Sequence, residues 1–171
     1  MDRPGRIVTR RLVLTPLQST DAAGLCRVAG DECVARETAT VPHPFTRAAA
    51  RSWIADSPFH GGFDLRFAIR RWGRMVGMVG LGGVPAALGY MIARHAWGRG
   101  YATEAAGGLL AALNPREKIL AKVFADNVGS VRVLEKLGFQ PVGESIETTA
   151  LRPGGAPTRL FRLLPDRSIL S

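Results

Sequence analysis

The chain has 171 residues, 46% of them apolar: enough for one domain with its own core, too few for two ordinary ones, and too apolar for a disordered chain. No apolar run is long enough to span a bilayer, and the opening MDRPGRIVTRRL carries charge without the apolar stretch of a secretory signal; a cytoplasmic enzyme or binding module filling residues 1–171 is expected. The net charge of +9 favours anionic partners in general, but the arginines are scattered rather than gathered into a basic run with interleaved aromatics, so charge alone selects no partner.

In chain order, residues 7–14 (IVTRRLVL) predict a first strand, ended by Pro16. Thr20 or Asp21 caps a helix over roughly residues 20–30. Its region carries Cys26 and Cys33, whose spacing fits no metal or redox motif, so both are expected as reduced, semi-buried thiols. After a turn with Pro42 and Pro44, Thr46 caps a helix over 47–55. Beyond a Gly-rich loop at 60–62, residues 65–71 and 75–81 form two strands of a hairpin closed by Trp72-Gly73, and residues 88–93 a third. In the helix predicted over 102–113, Ala102, Ala105, Ala106, Leu109, Leu110 and Leu113 have the spacing of one buried face. Gly107 and Gly108 each cost it about 1 kcal/mol relative to alanine and imply close packing against a sheet. Asn114-Pro115 stops it. A strand over 119–125, a helix over 128–137 capped by Asn127 and ended by Gly138, and strands over 139–149 and 158–164 complete the chain, the last two joined by a Pro/Gly loop at 152–157. This order predicts an α/β fold, a mixed sheet with helices on its faces.

Gly98-Arg99-Gly100 stands between an apolar strand and an apolar-faced helix. No Ser, Thr, Asp or Asn precedes Tyr101 to cap the helix, so its first N–H groups and the positive end of its dipole await an anion. The loop lacks the Lys-Ser/Thr of a P-loop and the third glycine of the dinucleotide fingerprint. By spacing alone it fits a phosphate site and a plain Gly-rich turn equally.

The string WGRGYATEA (97–105) resembles motif A of the Gcn5-related N-acetyltransferases (GNAT), in the branch that acetylates ribosomal-protein N-termini (RimJ/RimL type). TRRLVLTPLQSTDA (9–22), PHPFT (42–46), GMVGLGG (77–83) and LGYMIA (88–93) resemble that branch in order. Asn127-x-x-Ser130, followed by VLEKLGF (133–139), resembles motif B. The match runs from about residue 8 to 164. It implies a mostly antiparallel sheet splayed at the cofactor site with helices on both faces. The implied cofactor is acetyl-CoA, with Met91 and Ile92 offering backbone groups to the pantetheine arm and one strand N–H stabilising the thioester oxyanion. Trp97, Gly98, Arg99, Gly100, Tyr101, Ala102 and Thr103 wrap the pyrophosphate, and Asn127 is a helix cap first and a cofactor contact second.

The implied reaction is attack of an amine on the thioester. The tyrosine that many members place in the motif B helix is Leu134 here, so the resemblance assigns Ser130 as the catalytic residue that protonates the thiolate. The branch's Glu-x-Gly-Tyr reads Ala87-Leu88-Gly89-Tyr90, without the carboxylate. An α-amine, with pKa about 7.7–8.0 against about 10.4 for lysine, loses its proton more readily and is the better acceptor for such a site. Glu37, Asp64 and Glu144 stand as unranked substitute bases, and Glu104 suits a structural place beside the helix dipole. His43, Phe45, Trp53 and Phe67 are candidates for the acceptor side or for plain core. No His/Cys/carboxylate cluster suggests a metal.

The reading is therefore an N-acetyltransferase using acetyl-CoA and a primary amine, protein N-terminus or small molecule, as a monomer or homodimer. The alternative is a non-catalytic acyl-CoA-binding or regulatory module. Nucleic acid enters only through a ribosomal substrate.

Overall fold

A computed structural model describes residues 4–55 and 65–165. Its strands are β1 (Ile7–Val8), β2 (Val13–Pro16), β3 (Leu65–Arg71), β4 (Arg74–Gly82), β5 (Ala87–Ile92), β6 (Ile119–Phe124), β7 (Gln140–Thr149) and β8 (Arg152–Leu163). Its α-helices are α1 (Ala22–Ala29), α2 (Glu32–Ala35), α3 (Arg47–Ala55), α4 (Tyr101–Leu113) and α5 (Val128–Lys136). The eight strands make one sheet in the order β1-β2-β3-β4-β5-β6-β8-β7. Every neighbouring pair is antiparallel except β5 with β6, so the expected mixed, mostly antiparallel α/β fold is present.

Each face of the sheet has its own core. On one, Leu109 of α4 and Leu134 of α5 pack with Val79, Leu88 and Ile92. On the other, Leu25 and Val28 of α1 and Ala50 of α3 pack with Met78 and Met91. A fully buried large aliphatic side chain contributes about 1.5–3 kcal/mol, and these two layers fix the plane in which the sheet can open. Thr46 caps α3, its Oγ1 accepting the Ala49 N–H at 3.1 Å.

Several expectations need correction. The first strand is two: the chain reverses after Val8, with the Thr9 N–H donating to the Leu12 carbonyl at 2.9 Å. Asp21 does not cap α1 with its side chain; the carboxylate accepts the Gln18 N–H at 3.1 Å and pairs with Arg70. The short α2, opened by Asp31 accepting the Cys33 N–H, was not expected. Gly107 and Gly108 do serve close packing, only in part against the sheet: Gly108 meets Ile7 of the edge strand β1 and Thr9 just after it, whereas Gly107 meets Leu137 at the end of α5.

The loop expected at 152–157 is strand. Pro153 and Pro157 suggested a loop because proline cannot donate to a ladder. However, β6 pairs with β8 only as far as Phe124 with Thr158. Pro157 turns its carbonyl to the β6 side, accepting the Ala125 N–H at 2.8 Å. The N–H it lacks would point the same way, where no further rung follows.

β4 and β5 approach so closely that a Cβ on Gly77 would sit 2.4 Å from the Met91 carbonyl oxygen. That contact is backbone and cannot rotate away. Gly77→Ala is expected to destabilise the protein by about 1–3 kcal/mol, measured as a lower midpoint of urea unfolding with the slope unchanged.

Candidate functional site

β5 and β6 have six residues each, yet they share one register pair, Ala87 with Leu120. Beyond it the strands part. A cavity of about 880 Å³ fills the gap, with Gly89 and Tyr90 on one wall and Lys122 and Val123 on the other. Parallel strands that diverge in this way leave backbone donors and acceptors facing into the opening.

Two bonds show which ones. Ala93 N–H donates to Val76 of β4 at 2.8 Å, and Leu120 N–H of β6 donates to Ala86 at 2.9 Å. Because strand peptide groups alternate in direction, odd-numbered Met91 pairs its backbone with Met78 of β4, while Tyr90 and Ile92 turn theirs toward β6. Met91 is therefore corrected: its side chain borders the cavity, but its N–H and C=O are directed into the β4–β5 ladder. Ile92 has the expected direction, although its carbonyl already accepts Trp97 Nε1 at 2.7 Å. At Tyr90, by the same alternation, the N–H and C=O are directed toward β6 and the opening.

Tyr90 also supplies a hydroxyl. Ser130 Oγ donates to Tyr90 Oη at 3.0 Å, and Tyr90 Oη donates to the Ser130 carbonyl at 3.1 Å. Ser130 is fixed in turn by Asn127, whose Oδ1 accepts its N–H at 3.0 Å; the cap leaves only the Asn127 side-chain NH₂ for a ligand. Both Tyr90 and Ser130 line the cavity. Burial pushes the Tyr90 phenol up to about 12 despite the opposing bond with Ser130, so it stays neutral across physiological pH. Leu134, at the tyrosine position of many relatives, is wholly buried in the core. The sequence does not reveal the pairing of Tyr90 with Ser130; Tyr90 stands in the Ala87-Leu88-Gly89-Tyr90 string, forty positions from its partner.

At the start of α4, Gly98 and Gly100 adopt φ of 71° and 74°, the left-handed region in which glycine carries no Cβ penalty. Gly100 is the N-cap and no side chain caps the helix. The N–H groups of Tyr101, Ala102 and Thr103 thus lie in the uncapped first turn, with exposed Arg99 beside them. Arg11 also reaches this turn, held by Glu104: Arg11 Nε donates to Oε2 at 2.6 Å, and Thr9 Oγ1 and the Arg11 N–H donate to Oε1 at 2.7 and 2.6 Å. Burial opposes ionisation of Glu104, but the bonds from Thr9 and Arg11 outweigh it and hold the carboxyl below its ordinary value. Tyr101 is only 3% exposed, with Arg11 and Arg71 lying 4.9 and 5.2 Å from its ring centre.

Of the four acceptor-side candidates, Trp53 alone lines the cavity, with Arg66 over its ring at 4.1 Å. Phe45 packs edge-on to Trp53 inside the α1–α3 core, Phe67 lies in the opposite core, and His43 is not among the lining residues. Glu37 lines the cavity; Glu144 does not, being exposed on β7. Asp64 lies outside the described residues. No group of three or more His, Cys, Asp or Glu among the described residues is placed to hold a metal ion, and no described helix is long and apolar enough to cross a membrane.

Residues 11–140 match the family model described as an acetyltransferase (GNAT) domain. The uncharacterized N-acetyltransferase p20 of Bacillus licheniformis is 31% identical over 152 residues, covering 80% of this chain and 83% of the relative. Among solved structures, the ribosomal L7/L12 α-N-protein acetyltransferase RimL in complex with coenzyme A is similar in fold, with TM-score 0.82, 16% identity and coverage of 94% of this chain and 98% of that one. Mycobacterium smegmatis RimJ in complex with CoA-disulfide is also similar, with TM-score 0.77, 23% identity and coverage of 94% and 87%.

The buried phenol has a direct readout. The difference in tyrosine absorbance between the parent and Tyr90→Phe, which leaves Tyr101 in both, is expected to show a step near pH 12; a difference step at the ordinary value, about 10, would contradict the burial of this hydroxyl against Ser130.

Proposed function

The chain belongs to the acetyltransferase (GNAT) family, a family of acetyl-CoA-dependent acetyltransferases, and on that premise we propose that it transfers the acetyl group to a primary amine, with a protein N-terminal α-amine as the favoured acceptor. Residues 1–171 act as one domain in this reading. The observation that carries it is the β5–β6 opening, which has an uncapped helix start at one end and a serine–tyrosine hydroxyl pair on its wall.

Acetyl-CoA supplies an acyl thioester. The residues present suit such a molecule along its length. The N–H groups of Tyr101, Ala102 and Thr103 and the charge of Arg99 hold the pyrophosphate, helped by the helix dipole. Trp97 is tied through Nε1 to the Ile92 carbonyl at the end of β5, and the Asn127 amide has an N–H left to donate. The Tyr90 peptide and the Ile92 N–H face the pantetheine arm. A strand N–H directed at the developing oxyanion contributes the largest electrostatic part of acyl transfer.

Ser130 serves as proton donor to the departing sulfur. At rest its proton points to Tyr90 Oη. A thiolate is a far better acceptor than a neutral phenol oxygen, so charge on sulfur draws that proton over. Tyr90, neutral and bonded to the Ser130 carbonyl, keeps the hydroxyl in register with the opening. A thiol pKa near ~8.5 makes the demand on this acid modest. The α-amine preference rests on pKa: near ~7.7–8.0, a sizeable fraction of an α-amine is neutral at cellular pH, unlike a lysine side chain. The similarity in fold to the RimL enzyme supports the same acceptor class.

Acetyl-CoA at a hundredfold excess over its dissociation constant is expected to stabilise the protein by about 2.7 kcal/mol, seen as a raised Tm. Free thiol should be released when a peptide with an unblocked N-terminus is added. Ser130→Ala is expected to lower kcat about 10²-fold while the stabilisation persists. No shift in Tm with millimolar acetyl-CoA would refute the reading.

A further inference from the structure

Glu37 follows α2 and borders the cavity at its outer side. Its two carboxylate oxygens differ. Oε1 accepts Arg152 Nη2 at 3.2 Å, whereas Oε2 is buried and has no hydrogen-bond partner among the described residues. An ionised oxygen shielded from water without a donor is costly, and a donor brought by a ligand would relieve that cost.

Arg152 is held on every side. Nη1 donates to Asp126 Oδ2 at 2.8 Å, Nε donates to the Arg36 carbonyl at 3.0 Å, and the guanidinium lies 4.1 Å from the centre of the Phe124 ring. Arg36 in turn donates to the Leu151 carbonyl at 3.3 Å. The end of α2, the end of β6 and the β7–β8 turn therefore converge on one guanidinium, which fixes where the Glu37 carboxylate stands. The other described acid bordering the cavity, Glu147, is already neutralised by Lys122 Nζ at 2.5 Å.

We infer that Glu37 is the residue that receives the acceptor's ammonium group and removes its proton, and that Arg152 is the positioning residue that aims it. The inference rests on the transferase reading above and supplies the base that Ala87 cannot. The Glu37 side chain borders the cavity and is 29% exposed; when it turns Oε2 toward the opening, that oxygen accepts an N–H of the incoming ammonium and takes one proton. The nitrogen lone pair then bonds to the acetyl carbon, the carbon–sulfur bond breaks, and the sulfur receives its proton from Ser130. Ser130 is reprotonated by solvent, while Glu37 and the new amide nitrogen each release one proton to solvent. The sum is ammonium plus thioester giving amide, thiol and one proton.

The electrostatics suit a base. Burial raises the Glu37 carboxyl above its ordinary value; Arg152 and Arg36 act against that, and Asp126 adds to it. A base of raised pKa is the better proton acceptor, and the acid limb of the rate profile should lie above the ordinary glutamate value of about 4.3.

The test uses Glu37→Gln, which keeps an oxygen for Arg152 but cannot take a proton. Acetyl transfer to a short peptide with a free N-terminus and to 1,4-diaminobutane is followed from about pH 4 to 9.5, so that the acid limb is covered, with acetyl-CoA binding measured separately by thermal shift. Glu37→Gln is expected to lower kcat/KM about 10²-fold near pH 7, with a deficit that narrows as the pH approaches the pKa of the amine. Its acetyl-CoA affinity should stay within about threefold of the parent, well under the tenfold that 1.4 kcal/mol represents. Parental activity at every pH would overturn the assignment and leave the transferase reading standing, as would loss of acetyl-CoA binding in this variant. A parent protein that binds no acetyl-CoA, or binds it and acetylates neither amine, would sink both. Arg152→Gln separates positioning from architecture: with the cation gone, the acid limb should move to higher pH, and a limb that stays in place in a folded variant would reduce Arg152 to a structural tie.

Discussion

The single rung between β5 and β6 is the constraint on which the site depends. A sheet normally consumes its backbone hydrogen-bonding groups; here one ladder stops after Ala87 and Leu120, and the groups beyond it must find partners other than a neighbouring strand, as the Ile92 carbonyl does in Trp97 Nε1. The opening keeps its shape because each parting strand is held on its outer side. β5 is locked to β4 over six register pairs and β6 to β8 over six, while helices press on both faces. Gly77 and Gly80 let β4 approach its neighbours without side-chain interference. The cavity is therefore a product of good pairing on either flank.

Much of this was legible in the sequence because it follows from local rules. The apolar face of α4 emerged as predicted, with Ala105, Ala106, Leu109, Leu110 and Leu113 buried. So did the Asn127 cap and the uncapped start of α4, each readable from one or two residues. What escaped depends on direction in space. Whether Met91 or Ile92 faces the opening is a matter of strand parity, which shifts with a one-residue change of register and leaves no mark in composition. The Tyr90–Ser130 bond joins residues forty positions apart, and Ser130 alone looks like an ordinary first-turn serine. Glu37 was one of three unranked acids; only the fold separates it from Glu144 on the outer strand.

Two arginines do comparable work, one at the start of α4 and one just beyond β6. Arg11 and Thr9 tie the β1–β2 turn to Glu104, steadying the first turn of α4. Arg152 ties the end of α2 to the β7–β8 turn. Neither needs to add much net stability, since desolvating an ion pair offsets much of its Coulomb attraction. Their value is geometric. Arg152 makes several bonds with its fork, and Arg11 joins one guanidinium bond to one from its backbone N–H, so the segments they join cannot drift independently. The scattered arginines that gave the composition its charge are in part these ties.

The prolines of the last hairpin carry a consequence for the protein's life in a crowded solution. β7 is the outermost strand of the sheet and is exposed along nearly all its length, with Ile146 at 74%. Such an edge, together with the overhanging part of β8, is a template on which a second chain can add itself and begin an aggregate. Pro141 near the start of β7, and Pro153 and Pro157 where β8 outruns β6, each lack the N–H that such a template needs. The residues that disguised this strand as a loop also make it a poor seed for fibrils.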